Sequence, residues 1–424
     1  MITFASLFLG LIVGVRPVEV VVGEPVARVE FLLDGERAAL LEGPPWVAPV
    51  DFGSELVPRT LEAVAYDARQ GEVGRVRQWL NLPQPAAVLG AVLEPHEPGK
   101  PRVALLRWES SAGAEPTEVR ATLDGQPLRV DDPNRLELPL VDESQLHLLQ
   151  VEMDFGRRAT SRIDLTFGGS YIDEVSTEIT AIPLWATGRR PRAPTIEQIR
   201  GWFVKEGEPL PVIAVERGKA ELLMVMARPF PYFALPGEKV KIPKSLDLGD
   251  DLQLRFLSTT PQESQGVATT FELFPISPAY DHTLVGDLYS MLTGLVQPPP
   301  KGEPNPTAAV AVAGLAAYEG RQRRAVILVP PSWDGESNLT ATQVRRYLES
   351  LRVPLEVWRI ESGGSSHLAE WGEVRAAGSM KDLAKAYEDL VADLERQWVV
   401  WIDGRHLPQD IELAEGFEGW SLER

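Results

Sequence analysis

The first part of the chain alternates short apolar runs with turn-forming residues. Apolar runs at residues 18–22, 27–33 and 61–66 are separated by segments rich in Gly, Pro and Asp. Short strands with turn signals roughly every eight to twelve residues are typical of a β-sandwich. The pattern therefore predicts a small β-sandwich over residues 1–84.

A faint internal repeat follows. Leu33-Asp34-Gly35 recurs as Leu123-Asp124-Gly125, and in each copy a later apolar run ends at an aspartate, Asp67 and then Asp154. Asp-Gly after alternating apolar residues favours a tight hairpin, because the turn needs positive φ angles. Two matches in the same order predict a second sandwich over residues 85–170. Two unrelated hairpins are the alternative.

From about residue 215 the pattern changes to buried strands that alternate with helices. Apolar runs lie at residues 220–227, 252–257, 271–275, 325–329, 355–360 and 398–402. Helical periodicity lies at residues 284–296, 307–318 and 381–397, and Thr340 with Gln343 forms a capping box for another helix. This order predicts a doubly wound α/β domain over residues 216–404, with residues 171–215 as a connecting segment and 405–424 as a tail.

The amino-acid composition limits the kinds of partner and active site that the chain can have. The 424 residues are 44% hydrophobic and 24% charged, as in folded globular proteins, and their net charge of -19 argues against a nucleic-acid partner. Cysteine is absent, so sulfur nucleophiles and sulfur-bound zinc are excluded. The five histidines have no zinc-binding spacing, and no phosphate-binding or serine-hydrolase motif is present. We expect no cofactor.

The first fifteen residues are mostly apolar and have two interpretations. They have the length of a signal-peptide core, but no basic residue precedes the run, so an opening strand at residues 2–6 is an equal alternative. No apolar run reaches the roughly 18 to 20 residues that span a bilayer, so we do not expect an integral membrane protein. The lack of cysteine favours a periplasmic or extracellular location.

Three stretches resemble bacterial von Willebrand factor A (VWA)-related proteins of the acidobacterial type. They are ARVEFLLDGERAALLEGPPW with TLEAVAYDARQGEVG, the phrase WFVKEGEP that begins at Trp202, and the α/β region itself. The resemblance implies two immunoglobulin-like modules followed by a VWA-like, Rossmann-like α/β domain. Such a domain holds a divalent cation at the C-terminal edge of its sheet.

The residues that the resemblance places at this metal site are mostly unsuitable ligands. Ala227, Pro229 and Pro231 stand at the positions of the family's Asp and two Ser residues, and Pro331 stands at that of a later Asp. Only Thr283 matches, and a helix N-cap explains this residue better than a metal ligand does. Since Mg²⁺ needs several oxygen ligands, we predict a degenerate site without metal.

The same loops offer aromatic and cationic side chains. Arg228, Phe230, Tyr232 and Trp333 are of the types enriched at the centres of protein interfaces. They form a candidate partner-binding surface, with a proline-stiffened loop as the alternative.

The sequence leads us to expect a protein whose function is to recognise a binding partner. We expect a non-catalytic protein of the cell envelope that binds a protein partner or acts as a scaffold. The alternative is a carbohydrate-binding accessory protein, or an enzyme with a site between domains. Of the eleven tryptophans, we expect Trp79, Trp108, Trp358, Trp398 and Trp401 in the core or at domain interfaces, which leaves sugar stacking to any that are exposed on the sandwiches.

Overall fold

The computed structural model of the chain describes residues 2–6, 8, 10–22, 26–82, 87–93, 101–110, 115–123, 126–141, 147–155, 160–167, 179–187, 194–226, 246, 248, 251–262, 273–279, 288, 302–330, 337–359, 366–414, 416–417 and 419–422. Residues 1–83 and 179–424 form one compact unit, and residues 84–178 form a second. The sequence-predicted limits at residues 84, 170, 215 and 404 stay predictions.

The first sandwich consists of two antiparallel sheets that enclose an apolar core. Its strands are β1 (Ile2–Phe4), β2 (Val15–Val22), β3 (Arg28–Leu33), β4 (Glu36–Leu41), β5 (Val47–Asp51), β6 (Arg59–Tyr66) and β7 (Glu72–Leu80). One sheet has the order β1-β2-β5 and the other β4-β3-β6-β7. The opening strand expected near residues 2–6 is present as β1, which pairs with β2.

The predicted hairpin between β3 and β4 is confirmed. Asp34 and Gly35 have φ angles of 52° and 82°, and Leu33 pairs with Glu36 across the turn. Two successive positive φ angles give the turn a twist that matches that of the flanking strands. Glycine adopts this conformation without steric cost, and aspartate is among the residues that tolerate it.

The second sandwich repeats the arrangement of the first. Its strands are β8 (Ala87–Leu93), β9 (Val103–Ser110), β10 (Glu118–Leu123), β11 (Gln126–Leu128), β12 (Arg135–Glu137), β13 (His147–Asp154) and β14 (Thr160–Phe167). The sheets have the orders β12-β9-β8 and β11-β10-β13-β14. Strand for strand, this is the topology of the first sandwich, so the internal repeat read from two Asp-containing motifs is confirmed.

A small β-module precedes the α/β region and is completed by residues beyond it. Its first elements are β15 (Ile179–Ala186), helix α1 (Ile196–Ile199), β16 (Phe203–Lys205), β17 (Glu208–Pro209) and β18 (Val212–Glu216). The capping box of Thr195 and Gln198 begins α1. Ile199, Trp202 and Phe203 belong to the core of this module, so residues 179–216 fold as more than a connection.

The α/β region contains a parallel sheet with the strand order β20-β19-β21-β22-β23. Its elements are β19 (Ala220–Met226), β20 (Leu252–Ser258), helix α2 (Pro306–Glu319), β21 (Arg323–Val329), helix α3 (Ala341–Ser350), β22 (Leu355–Arg359), β23 (Val374–Ala376) and helix α4 (Met380–Leu394). Apolar side chains cover both faces of the sheet. The predicted α/β architecture is thus confirmed at the level of a parallel sheet packed with helices.

Two of the six strands predicted for this sheet are wrong. Residues 273–275 do not form a strand, and the apolar run at residues 398–402 lies in β24 (Gln397–Asp403), outside the parallel sheet. β24 pairs antiparallel with β15 and β18. An apolar run specifies burial but not the neighbouring strand, which explains the error. The helix predicted at residues 284–296 lies outside the described residues, apart from Leu288, which is buried.

The end of the chain completes the small β-module. Short strands β25 (Glu412–Leu413) and β26 (Trp420–Ser421) pair with β16 and β15, respectively. Ile411 and Leu422 are buried in the same core as Trp202. The residues predicted as a tail are therefore integrated with the segment predicted as a connection, and the α/β region is inserted between them.

Predicted helix signals are confirmed in α2 and α3. Asn305 caps α2 by accepting a hydrogen bond from the Ala308 amide at 3.0 Å, and α2 is buried nearly all round, as its apolar sequence predicts. Thr340 and Gln343 form the expected capping box of α3. The two helices approach closely at Gly314, where a Cβ atom would lie 2.6 Å from Leu348 Cδ1. No helix among the described residues is long and apolar enough to cross a bilayer.

The first sandwich docks onto α3 within the same compact unit. Leu56 and Leu82 of the sandwich belong to the core cluster that contains α2 and α3. Tyr347 Oη donates to the Asn81 carbonyl at 2.8 Å. Gln343 Nε2 donates to the Ser54 carbonyl at 2.6 Å. Since the contact combines apolar burial with satisfied polar groups, sandwich and helix form a continuous packed interior.

Arg324 places a buried guanidinium at the C-terminal ends of two helices. It is 1% exposed. Its Nη1 donates to the Tyr318 carbonyl of α2 and its Nη2 to the Leu351 carbonyl that follows α3, each at 3.4 Å. Helix C-termini carry partial negative charge, so they compensate a cation that has no carboxylate partner among the described residues. Burial lowers the pKa of Arg324 to about 10, which leaves it charged at neutral pH.

We expect Arg324→Met to lower the free energy of unfolding by about 2 kcal/mol, because it removes the guanidinium donor of the Leu351 carbonyl and one of the two donors of the Tyr318 carbonyl, which also accepts from the Arg321 amide. Urea denaturation followed by tryptophan fluorescence measures the change. Arg217→Met removes a cation from an exposed position and is the matched control. An unchanged denaturation midpoint for Arg324→Met would show that the guanidinium contributes nothing net.

Candidate ligand-binding site

The C-terminal edge of the parallel sheet is where the sequence places a functional site. Strand order reverses between β19 and β21, and open α/β sheets bind ligands at such a point. The site positions expected there all lie outside the described residues, so their predicted roles stay predictions. They are the former metal-ligand positions Ala227, Pro229, Pro231, Thr283 and Pro331, and the partner-binding candidates Arg228, Phe230, Tyr232 and Trp333.

The described residues near this edge form a closed polar cluster. Thr307 Oγ1 donates to Asn305 Oδ1 at 2.9 Å and lies 2.6 Å from Ser337 Oγ. The Asn305 amide donates to the Thr259 carbonyl at 2.6 Å. These contacts cap α2 and join it to the end of β20. The polar side chains of Asn305, Thr307 and Ser337 are thus accounted for by their role in stabilising the start of α2.

A cavity of about 590 Å³ lies elsewhere, between the α/β region and the small β-module. One wall comes from α3 and the residues that lead into β22, and another from residues 371–375 around the start of β23. Trp185 of β15 and Leu422 near the chain's end contribute from the small module. The volume is within the range of roughly 300 to 1,000 Å³ that is usual for small-molecule sites.

The apolar part of the lining is firmly packed. Trp371 ends a 3₁₀-helix at Ser366–Trp371 and is 4% exposed, and Trp185 is 6% exposed. Trp185 pairs in register with Gln397 of β24 on one side and with Ser421 of β26 on the other. Leu348 and Leu355 complete this lining. Such walls change little on binding because their side chains are held by the cores behind them.

Two of the three arginines that line the cavity already have partners. Arg375 Nε lies 2.8 Å from Glu356 Oε2, and its Nη1 lies 3.2 Å from Asp389 Oδ2. Arg352 Nη2 donates to the Ile411 carbonyl at 3.1 Å, which ties the end of α3 to the C-terminal segment. These side chains build the cavity wall and have little capacity left for a ligand.

Arg345 is held more loosely. Its Nη2 lies 3.8 Å from Glu349 Oε1, longer than a hydrogen bond, and its Nη1 reaches the Glu370 carbonyl at 3.4 Å. The guanidinium packs over Gly372, whose φ is +90° and where a Cβ atom would lie 3.0 Å from Arg345 Cζ. Glycine at position 372 therefore allows both the turn and the close approach of the cation.

Two carboxylates line the same cavity as Arg345. Glu349 is solvent-exposed, and its side chain has only the long contact with Arg345 among the described residues. Glu373 is exposed, and no hydrogen bond or ion pair engages its side chain in the part of the chain that the structure describes. The cavity thus presents one guanidinium and two carboxylates that can bind a ligand without breaking a strong internal contact. We call Arg345, Glu349 and Glu373 the open triad.

Sequence reasoning missed this cavity. Its residues come from five separate segments of the chain, and none of them forms a recognisable motif. The one local signal is Trp371-Gly372-Glu373, in which glycine lies between an aromatic and an acidic residue. The described residues contain no group of three or more His, Asp or Glu side chains placed to hold a metal ion.

Comparisons with known proteins were made at three levels. No family model matches the chain, and no curated protein matches it. Fibronectin(III)-like modules of Clostridium thermocellum CbhA match with 15% identity over 19% of this chain and 93% of that chain, with a TM-score of 0.18. The central fibronectin-III array of RIM-binding protein matches with 9% identity over 48% of this chain and 81% of that chain, with a TM-score of 0.25.

A β-glucuronidase from glycoside hydrolase family 2 also matches, with 14% identity over 41% of this chain and 20% of that chain, at a TM-score of 0.21. Scores this low carry no argument about function. The described chain is thus mostly β-sheet, with fibronectin-type neighbours and a parallel five-stranded sheet.

The prediction that the chain is not an enzyme is corrected by the presence of hydrolases among these neighbours. It relied on the lack of nucleophile and metal motifs. Glycoside hydrolases use a pair of carboxylates that are not adjacent in the sequence. The lack of a sequence motif therefore does not exclude such a catalytic pair. The neighbours do not show that this chain is an enzyme.

Proposed function

We propose that this chain is a recognition protein that binds a small polar ligand in the cavity between the α/β region and the small β-module. The observation that carries the proposal is the contrast between rigid walls and the open triad. Trp185, Trp371 and the Arg375–Glu356 pair are fixed by packing and short polar contacts. Pre-organised walls with a few available polar groups are the usual composition of a ligand site.

The proposal predicts ligand-dependent stabilisation. We expect at least one compound in a panel of amino acids, dicarboxylates, nucleosides and saccharides to raise the melting temperature, since a ligand at 100 times its Kd adds about 2.7 kcal/mol. Thermal denaturation measures it. Arg345→Ala should abolish the shift, because Arg345 has no short internal partner.

The matched control is Arg359→Ala, which removes an exposed arginine at the far end of β22, outside the cavity. A panel in which nothing protects the unaltered protein would rule out this function.

We also propose, on the resemblance, that the α/β region is a VWA-like domain that has lost its metal site. The parallel sheet with its reversal between β19 and β21 supports this relation at the level of architecture. Ala227, Pro229, Pro231 and Pro331 have no side-chain oxygen to offer, so Thr283 would be left as a lone neutral ligand.

Titration calorimetry with Mg²⁺ and Mn²⁺ is expected to give no saturable heat. The Thr283→Ala variant, which removes the retained ligand position, should behave in the same way. Saturable binding that this substitution abolishes would contradict the loss of the site.

A protein partner is the second proposed ligand, as the sequence suggested, and the first sandwich supplies a described surface for it. Val15 and Val21 of β2 and Val47 of β5 are exposed on the outer face of the three-stranded sheet, where Pro17 also pairs with Pro49. Exposed apolar residues that share one face of a sheet can mark an interaction surface, and on this face they surround the exposed Glu19. A periplasmic or extracellular location remains part of this proposal.

We expect Val21→Lys to remove a specific partner from affinity captures that use the unaltered protein as bait, because it replaces an exposed apolar side chain of this face with a charge. Quantitative mass spectrometry compares the two captures. Val73→Lys, on the exposed side of β7, is the control. Identical partner profiles for all three proteins would remove the face from consideration.

A further inference from the structure

The charge balance of the cavity restricts the ligand that the proposed function assigns to it. Three arginines and three glutamates line the cavity, so its formal charge is zero. An anion would meet Glu349 and Glu373, and a cation would meet Arg345. Either ion would meet charges of both signs, so the net Coulomb attraction is small in a cavity that is close to solvent. The lining therefore favours an uncharged ligand.

The open triad also restricts the ligand's hydrogen-bonding groups. A guanidinium only donates hydrogen bonds, and an ionised carboxylate only accepts them. A hydroxyl group does both, so neighbouring hydroxyls can accept from Arg345 while they donate to Glu349 or Glu373. An aliphatic ligand would cover these groups without pairing them, which is unfavourable. We propose that the cavity binds an uncharged saccharide, and this rests on the proposed ligand-binding function.

The gap between Arg345 and Glu349 leaves room for a hydroxyl group. Their nitrogen and oxygen lie 3.8 Å apart, too far for a direct hydrogen bond but close enough to neutralise each other. A hydroxyl can bridge the two groups and add hydrogen bonds while the charges stay paired.

The remaining lining is apolar, but most of it is already packed: Trp185, Trp371 and Leu348 are buried and Leu355 is half-buried, so only a small apolar area is left for the C–H face of a sugar ring. Trp185 and Trp371 lie with Leu348 and Leu355 in the same cavity as the open triad. A pyranose ring has hydroxyls around its edge and C–H groups on its faces, so it can contact both kinds of lining at once. The ion pair of Arg375 with Glu356 stabilises the wall beside them.

Titration calorimetry on the full chain tests the inference with defined probes. The uncharged set is glucose, N-acetylglucosamine, cellobiose, maltose and xylobiose. The charged set is glucuronate, citrate, glutamate and lysine. We expect saturable binding from the uncharged set and a loss of affinity of about tenfold or more in Arg345→Ala and in Glu373→Gln, since each removes hydrogen bonds to a charged group. Arg359→Ala should bind as the unaltered protein does.

Each outcome has a distinct meaning. If only charged probes bind and Arg345→Ala abolishes that binding, the saccharide inference is overturned while the ligand-binding function stands. Saccharide binding that is indifferent to both substitutions places the sugar elsewhere and overturns the inference. If no probe binds, the saccharide inference is also overturned. The broader thermal-denaturation panel then tests whether the proposed ligand-binding function holds. We expect the Glu373→Gln variant to fold normally, because the exposed Glu373 side chain has no internal partner among the described residues. A loss of binding in this variant therefore cannot be attributed to misfolding.

Discussion

The arrangement of the α/β region depends on the buried guanidinium of Arg324. It binds the carbonyl ends of α2 and α3, while the Arg324 amide donates to Gln397 Oε1 at 2.7 Å. Gln397 is the first residue of β24, and it pairs in register with Trp185 of the neighbouring strand β15. One residue thus joins two helices of the α/β region to the small β-module. Trp185 also lines the cavity, which lies between these parts.

Helix α3 has a different role on each of its sides. Tyr347 and Gln343 hold the first sandwich through hydrogen bonds to backbone carbonyls. Arg345, Leu348 and Glu349 line the cavity. Because a ten-residue helix moves as a rigid element, docking of the sandwich fixes the position of the α3 side chains that line the cavity. This gives the first sandwich a structural purpose in addition to any partner that it binds.

Sequence signals were most informative where the relevant interactions are local. Asp34-Gly35, the capping box of Thr340 and the apolar character of α2 were all predicted from neighbouring residues, and the repeat extended the first sandwich to the second. Long-range pairings were the failures. Trp398 lies in an apolar run that suits either a parallel or an antiparallel neighbour, and the run was assigned to the wrong sheet. The cavity residues carried no pattern, because Trp185 and Trp371 meet only in the folded chain.

By itself, the sequence determined the class of each region: two β-sandwiches, then strands alternating with helices, without cysteine chemistry. These properties follow from side-chain periodicity and turn conformation, which act over a few residues. Tertiary structure alone decided that the segments before and after the α/β region share one module, and that Arg345, Glu349 and Glu373 stand open beside two tryptophans. Residues distant in the chain become neighbours through the packing of the whole domain, and no local pattern records that outcome.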